Sequence, residues 1–472
     1  MNYTDSIFLL FFCITFGAYY LINKSQLQLL ILVVASLFFY AWQSPPLLAI
    51  FLCSWFITGL SSYSVLTANN PFRAKLFATS GVAVNLMLLG FFKYKFLVIQ
   101  NIPQLVPQPA HTLGEWLILA PLPIGISFYT FHGISLLVDI YRGNTTTFTE
   151  KRRSLKKHLS ETLLYLVFFP QLIAGPIIKA KDFYPQVGVK RFQDIDFSGS
   201  FRILVVGYFL KSVIADNLSE QTFWIAYPYF QWNSSGELLL LLYGYSAQIF
   251  ADFAGYSLIA IGLAKLLGYK LPDNFNYPYF SSSISEFWRR WHISLSSWLR
   301  DYLYIPLGGS KKGETRTYVN LMVVMFLGGL WHGAAWSFAI WGLWHGIGLA
   351  FERPWLDSNI YTSTNPVLKG IRIFVVFNFV TIGWLFFKLQ DYSQAWAYIG
   401  LMFHNDAGGI LAVSKMKAFK ILSYSFFVFS YHVLHVYKEE IPGLLKDFAY
   451  GAMLFLIVTN PGPAVPFIYF QF

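Results

Sequence analysis

Charge is scarce in this chain. Of its 472 residues only 12% are Asp, Glu, Lys or Arg, where a soluble globular domain carries about a quarter, so an ordinary water-soluble enzyme is excluded. Cysteine is nearly absent too. Cys13 and Cys53 both fall inside apolar runs, where a packed thiol is expected in place of a disulfide or a metal ligand. The leading MNYTDS holds no basic residue, which argues against a cleaved secretory signal and makes the apolar run behind it the first span. No GxSxG, P-loop or GxGxxG stands in a convincing context, so serine-hydrolase, nucleotide-hydrolysing and dinucleotide-binding chemistries lack their marks. The net charge of +11 comes without a nucleic-acid motif, and no nucleic-acid partner is expected.

What the chain does have is hydrophobicity, at 56% of residues. Apolar runs near the length that crosses a bilayer, about 20 residues, recur from 6–22 to 448–468. An all-α polytopic membrane protein follows, a single membrane domain over 1–472 with ten to twelve membrane segments and membrane lipid as its main solvent. Spans are expected at 6–22, 26–42, 46–66, 76–98 and 116–140, then near 200–216, 237–264, 318–350, 370–387, 419–437 and 448–468. The loops 43–45, 99–115 and 217–235 hold no Lys or Arg, whereas 67–75 carries Arg73 and Lys75, and 142–158 carries Arg142, Lys151, Arg152, Arg153, Lys156 and Lys157. Basic loops stay in the cytoplasm, so the N-terminus is expected outside. Lys93 and Lys95 sit awkwardly near the outer end of the fourth span. The run 161–178, with Pro170, Gly175 and Pro176, leads into a second basic loop and is expected to be re-entrant or broken, its freed backbone groups buried in protein.

Residues 284–303, ISEFWRRWHISLSSWLRDYL, show the clearest period. Ile284, Phe287, Trp288, Trp291, Leu295, Trp298, Leu299 and Tyr302 share one stripe, with Glu286, Arg289, Arg290, Ser296, Ser297, Arg300 and Asp301 opposite. An amphipathic helix lying in the headgroup plane is expected. The loop behind it holds Lys311, Lys312 and Arg316, which places that helix on the cytoplasmic face. His292 falls at the edge of the stripe, either facing substrate or held by a neighbour.

Ionisable groups at membrane depth are costly and point to function. His332, in GGLWHGAAWS, has small neighbours that admit close approach and is expected to be catalytic. His345 lies thirteen residues on and, on one continuous helix, would face another direction, so the two are not expected to share a site. Neither has the partners a zinc site needs, and no metal is expected. Asp252 has no local cation, leaving substrate lining or a structural bond to another span open. His432 and His435 are expected at headgroup level, beside Lys438 and Glu439. Asp139 lies three residues from Arg142 and can pair with it.

FWRRWHISLSSWLRDYLYIPLGG (287–309) and GGLWHGAAWSFAIWGLWHG (328–346) together closely resemble the membrane-bound O-acyltransferase family. The similarity is greatest to its bacterial branch of alginate O-acetyltransferase membrane subunits. LPIGISFYTFHGISLLVDIYRG, FFPQLIAGPI, ADFAGYSLIAIGLAKLLGY, LPDNFNYPY and FIYFQF extend it over most of the chain. The resemblance implies broken helices around a central tunnel in the inner membrane and transfer of an acetyl group from acetyl-CoA, with no bound cofactor. It implies His332 as the tunnel histidine and His292 as a second one, whose part as base, orienter or donor-binding group stays open. Arg289, Arg290, Lys311 and Lys312 are expected to neutralise donor phosphates or contact anionic lipid, and Trp291, Trp331 and Asp252 to line the substrate path. A periplasmic or membrane-anchored acetyltransferase is the expected partner, with an extracytoplasmic polysaccharide as acceptor. Peptidoglycan O-acylation or D-alanyl transfer by the same mechanism are alternatives. A transporter or flippase using His332 and Asp252 as a polar path is the reading from another class, although no internal repeat supports it.

Overall fold

A segment surrounded by hydrocarbon must satisfy its backbone internally, and the apolar runs accordingly fold as helices. The computed structural model describes residues 1–42, 45–99, 112–143, 154–173, 175–404, 415–436 and 441–468, and among them there is no strand. Lys151, Arg152 and Arg153, most of the 99–115 loop, Lys438, Glu439, the side chain of His435 and residues 469–472 lie outside the described part. Against the ten to twelve segments suggested by the sequence, five helices among the described residues are both long and apolar enough to cross a bilayer: Pro45–Thr67, Pro71–Lys95, Phe197–Ile225, Ser235–Leu266 and Pro366–Lys388. Ser6–Tyr20 and Ser25–Ala41 are shorter apolar helices. The chain divides into two compact units, Met1–Ser200 with Ala260–Pro272, and Phe201–Ile259 with Asp273–Phe472.

In the first unit the single span expected at 116–140 is interrupted. Helices Leu113–Leu119 and Ile126–Tyr141 are separated by a stretch holding Pro121 and Pro123, which withdraw backbone donors, and by Gly125 at φ 70°. The interruption accounts for the two awkward lysines. Lys95 Nζ donates to the freed carbonyls of Leu117, at 2.8 Å, and Ala120, and Lys93 Nζ lies 3.4 Å from Ser127 Oγ. Both are buried cations placed at a helix break.

The run 161–178 is broken as expected. A helix over Leu155–Val167 is followed by one turn, Phe169–Leu172, and then by irregular chain. Its loose backbone groups bond to protein: Tyr3 Oη donates to the Phe169 and Pro170 carbonyls at 3.0 and 3.1 Å, and the Phe169 amide donates to Ser36 Oγ at 3.2 Å. The cysteines correct another expectation. Cys13 and Cys53 are exposed on their helices rather than packed, because helices bathed in lipid turn apolar side chains outward as readily as inward.

The second unit holds residues 235–259 of the 32-residue helix Ser235–Leu266. Lys211 lies in a π-helical stretch, Phe209–Ala215, and its Nζ stands 2.6 Å from Asp216 and 2.8 Å from Asp252. The cation that local sequence did not offer Asp252 is thus supplied by another helix. Lys211 also donates to the Val465 carbonyl at 3.0 Å, and the Ile468 amide donates to Asp252 Oδ2 at 2.8 Å.

Candidate active site

The stretch 284–303 does not form one helix. Ile284–Arg290 ends at Trp291, Ile293–Leu299 begins after His292, and Arg300–Tyr304 closes as a π turn. His292 sits between them at φ 43° and ψ 53°, a left-handed conformation that a side chain normally avoids. The first short helix is capped at its N-terminus. Ser283 Oγ accepts from the Glu286 amide at 2.9 Å, and Glu352 Oε2 accepts from the Ile284 and Ser285 amides at 2.7 and 3.1 Å. A carboxylate there satisfies amides that lack intrahelical partners. Burial acts to raise the Glu286 carboxyl, but the Ser282 donors and the Arg290 guanidinium hold it below the usual glutamate range.

The stripe also lies against protein instead of headgroups. Phe287, Trp291, Leu295 and Trp298 are all buried, because the break lets each half turn its apolar side inward. His292 follows them: it is 1% exposed and so not at a solvent edge, with its ring 4.6 Å from Phe253 and 6.1 Å from Trp331.

The segment expected as one piece over 318–350 is a hairpin of two helices, Glu314–His332 and Trp336–Glu352. They approach backbone to backbone. A Cβ on Gly329 would stand 2.2 Å from the Phe338 carbonyl oxygen, and one on Gly342 2.2 Å from that of Met325. The fold places His332 at the C-terminal end of the first helix, 7% exposed, with Trp331 and Trp341 each 5.0 Å away and Phe387 at 5.2 Å. The one continuous helix assumed for His345 is replaced by this hairpin, while His345 stays apart from the space that His332 borders. Both imidazoles meet the same indole, His345 lying 5.0 Å from Trp341 and fully buried against Trp288 and Phe287.

His332 borders a cavity of about 240 Å³ whose wall is mostly apolar, with Trp288, Leu299, Met325 and Trp341 among its members and Ser296, Arg300 and Tyr304 as its polar groups. An imidazole at the wall of a mostly apolar cavity can take a proton from a hydroxyl held beside it. His292 is buried nearby without bordering the cavity, and Trp331 touches both histidine rings.

The other expected residues are placed elsewhere. Arg289 donates to Ser285 Oγ at 3.0 Å, Arg290 pairs with Glu286 at 2.7 Å, and Lys311 and Lys312 are exposed on the following loop. None of these four, nor Trp291, Trp331 or Asp252, borders the cavity. The cation that does is Arg300, whose Nε is 2.7 Å from Asp301. In sequence it counted only as one member of a polar face. Trp288 and Trp341 were missed as well, although each belongs to a Trp-rich motif and Trp288 carries helical spacing with Leu295 and Leu299. His432, expected at headgroup level, is fully buried, its ring stacked 5.6 Å from Tyr279 and its Nδ1 2.8 Å from the Val428 carbonyl. Among the described residues no group of three His, Cys, Asp or Glu is placed to hold a metal ion.

The family model described as the membrane-bound O-acyltransferase family matches residues 18–391. The chain belongs to this family. The acyltransferase is 35% identical over 418 residues to a protein named "Probable alginate O-acetylase" from Azotobacter vinelandii, an alignment covering 85% of this chain and 78% of that one. It is 34% identical over 390 residues to a peptidoglycan O-acetyltransferase of Helicobacter pylori, covering 77% and 71%. A teichoic acid D-alanyltransferase of Bacillus subtilis is 29% identical over 332 residues, covering 66% and 78%. Membrane O-acyl transfer, an enzymatic activity and not solute transport, is the chemistry these share with the chain.

Proposed function

We propose that this acyltransferase accepts an acetyl group from acetyl-CoA at the cytoplasmic face of a bacterial inner membrane and passes it outward for O-acetylation of an extracytoplasmic polysaccharide. The observation that carries the reading is His332 on the wall of a mostly apolar cavity whose one lining cation is Arg300. In the step itself, His332 takes the proton of the attacking hydroxyl, the oxygen forms an ester bond to the thioester carbonyl carbon, the carbon–sulfur bond breaks, and the imidazolium returns the proton to the departing thiolate. Neutral imidazole is the form this step requires. Arg300, at the cavity wall, is the group best placed to meet the donor's phosphates. The greater identity of the two O-acetyl-transferring relatives, and the larger share of this chain that they cover, favour acetyl over D-alanyl as the acyl group. A separate acetyltransferase outside the membrane completes the transfer to polymer in this reading. The N-terminus lies outside, and the loop holding Lys311 and Lys312 lies inside.

Membrane vesicles supplied with labelled acetyl-CoA and the host's envelope glycan test the proposal through alkali-labile acetate on polymer. His332→Ala is expected to lower that label by at least about 10²-fold, the scale of a lost general base, while the protein accumulates to its usual level. Undiminished label in that variant removes His332 from the reaction.

A further inference from the structure

The left-handed backbone at His292 calls for something to hold it, because a residue with a Cβ leaves this conformation unless its surroundings impose it. Among the described residues the other non-glycine position of this kind is Tyr277, at φ 49°. Tyr277 lies in the NFNYP stretch, which runs directly beside the break.

Two backbone bonds tie the two segments on either side of His292. The Ile293 amide donates to the Asn274 carbonyl at 2.9 Å, and the Asn276 amide donates to the Arg290 carbonyl at 2.9 Å. Trp291 and His292 are bracketed between them. The Asn274 side chain, 2% exposed, completes the tie. Its Oδ1 accepts from Ser294 Oγ at 2.9 Å, and its Nδ2 donates to Ser257 Oγ at 3.0 Å on the Ser235–Leu266 helix. Ser257 is four residues from Phe253, hence on the same helix face. Phe253 is the ring that meets the His292 imidazole at 4.6 Å. One helix face therefore supplies both the anchor of the tie and the surface against which the histidine rests.

We propose that Asn274 is a positioning residue for His292: by binding Ile293 and Ser294 on one side and Ser257 on the other, it fixes the break in the interfacial helix so that the imidazole is turned inward between Phe253 and Trp331. Without the tie, the alternating apolar stripe favours one continuous helix through 284–299, which would rotate the histidine out of this pocket. The proposal rests on the reading of His292 as part of the transfer site.

The test labels imidazoles with diethyl pyrocarbonate in proteoliposomes of the full chain and reads each histidine by peptide mass spectrometry. In the unaltered protein His292 is protected, as is the buried His345. Asn274→Ala is expected to raise the His292 labelling rate at least about tenfold and leave His345 unchanged, and to lower kcat for acetyl transfer from acetyl-CoA at little change in KM, the split expected when orientation and not donor binding is lost. Asn274→Asp keeps the oxygen that accepts from Ser294 and replaces the Nδ2 donor with a second acceptor, to which the Ser257 hydroxyl can turn and donate, so protection and kcat return. Should Asn274→Ala fail to accumulate, Ser294→Ala removes one bond of the tie and is expected to raise His292 labelling by a smaller factor. Unchanged labelling of His292 in whichever variants accumulate overturns the proposal, whatever the activity. Raised labelling with full acetylation upholds the positioning by Asn274 and sinks instead the reading of His292 as a site residue.

Discussion

A single imidazole nitrogen decides whether the cavity is a reaction chamber or a packing defect, and its neighbours decide what it can meet. His332 has aromatic rings on three sides, Trp331, Trp341 and Phe387, which restrict its motion and keep water low without competing for its proton. Charge near the cavity comes from elsewhere. Because Arg300 borders it while Arg289, Arg290, Lys311 and Lys312 do not, their removal should differ in kind. Arg300→Ala is expected to raise KM for acetyl-CoA by about tenfold, the worth of one charge-assisted contact, with kcat little changed. Lys311→Ala and Lys312→Ala, exposed on a loop, should change KM by less than about threefold, as surface charges do. Steady-state kinetics at fixed acceptor separates the two. A rise in the two lysine variants with Arg300→Ala unchanged would mean that the donor is held by the loop and not at the cavity wall.

At the scale of the element, the site depends on two interruptions, and these were the least legible part of the sequence. Spans could be read wherever length and composition agreed, as at Pro45–Thr67 and Ser235–Leu266, because a bilayer imposes both. The break at 161–178 was visible through Pro170. The break at His292 was not, since the apolar period runs through it unchanged and the groups that impose it, Asn274 and Asn276, lie in a separate loop. The turn between Glu314–His332 and Trp336–Glu352 has no proline to announce it. Its glycines read as room for close approach by backbone or substrate, and Gly329, with Gly342 facing it, serves the backbone contact between the two helices. That contact makes a sharp prediction. Gly329→Ala or Gly342→Ala places a methyl 2.2 Å from a carbonyl oxygen of the facing helix and should cost about 1–3 kcal/mol or more through forced separation, seen as a lowered melting temperature in detergent. Gly328→Ala meets only a Leu299 methyl, at 3.3 Å, and should melt near the unaltered protein. If neighbouring glycines behaved alike, the backbone contact would not be what holds the hairpin.

At the scale of the whole molecule, the second unit is secured by a charge cluster that no local pattern announced. Lys211 and Asp252 are far apart in sequence and lie on different helices, and Asp252 read by itself left substrate lining open. Together with Asp216 they form a buried network that also reaches the chain's C-terminal stretch, through the Val465 carbonyl and the Ile468 amide. The Gly462 amide adds a bond to the Ser212 carbonyl at 2.8 Å, and Phe467 stacks 4.5 Å from Tyr256. A strap of irregular chain is thus held in the core by one ammonium and two carboxylates. Removing one member of such a cluster leaves uncompensated charge, at a cost of about 3–5 kcal/mol, whereas replacing the whole cluster with neutral groups can be nearly neutral. Lys211→Met should therefore lower the melting temperature most, because it strands two carboxylates. Asp252→Asn should lower it less, because the Lys211 pair with Asp216 survives and the amide can still accept from Ile468. Lys211→Met combined with Asp216→Asn and Asp252→Asn should recover part of the loss, and the recovery is what distinguishes a structural cluster from a functional charge. If acetylation stays low while the triple variant regains its melting temperature, the charges serve transfer as well as anchoring; if the two return together, the cluster holds the strap and does nothing more.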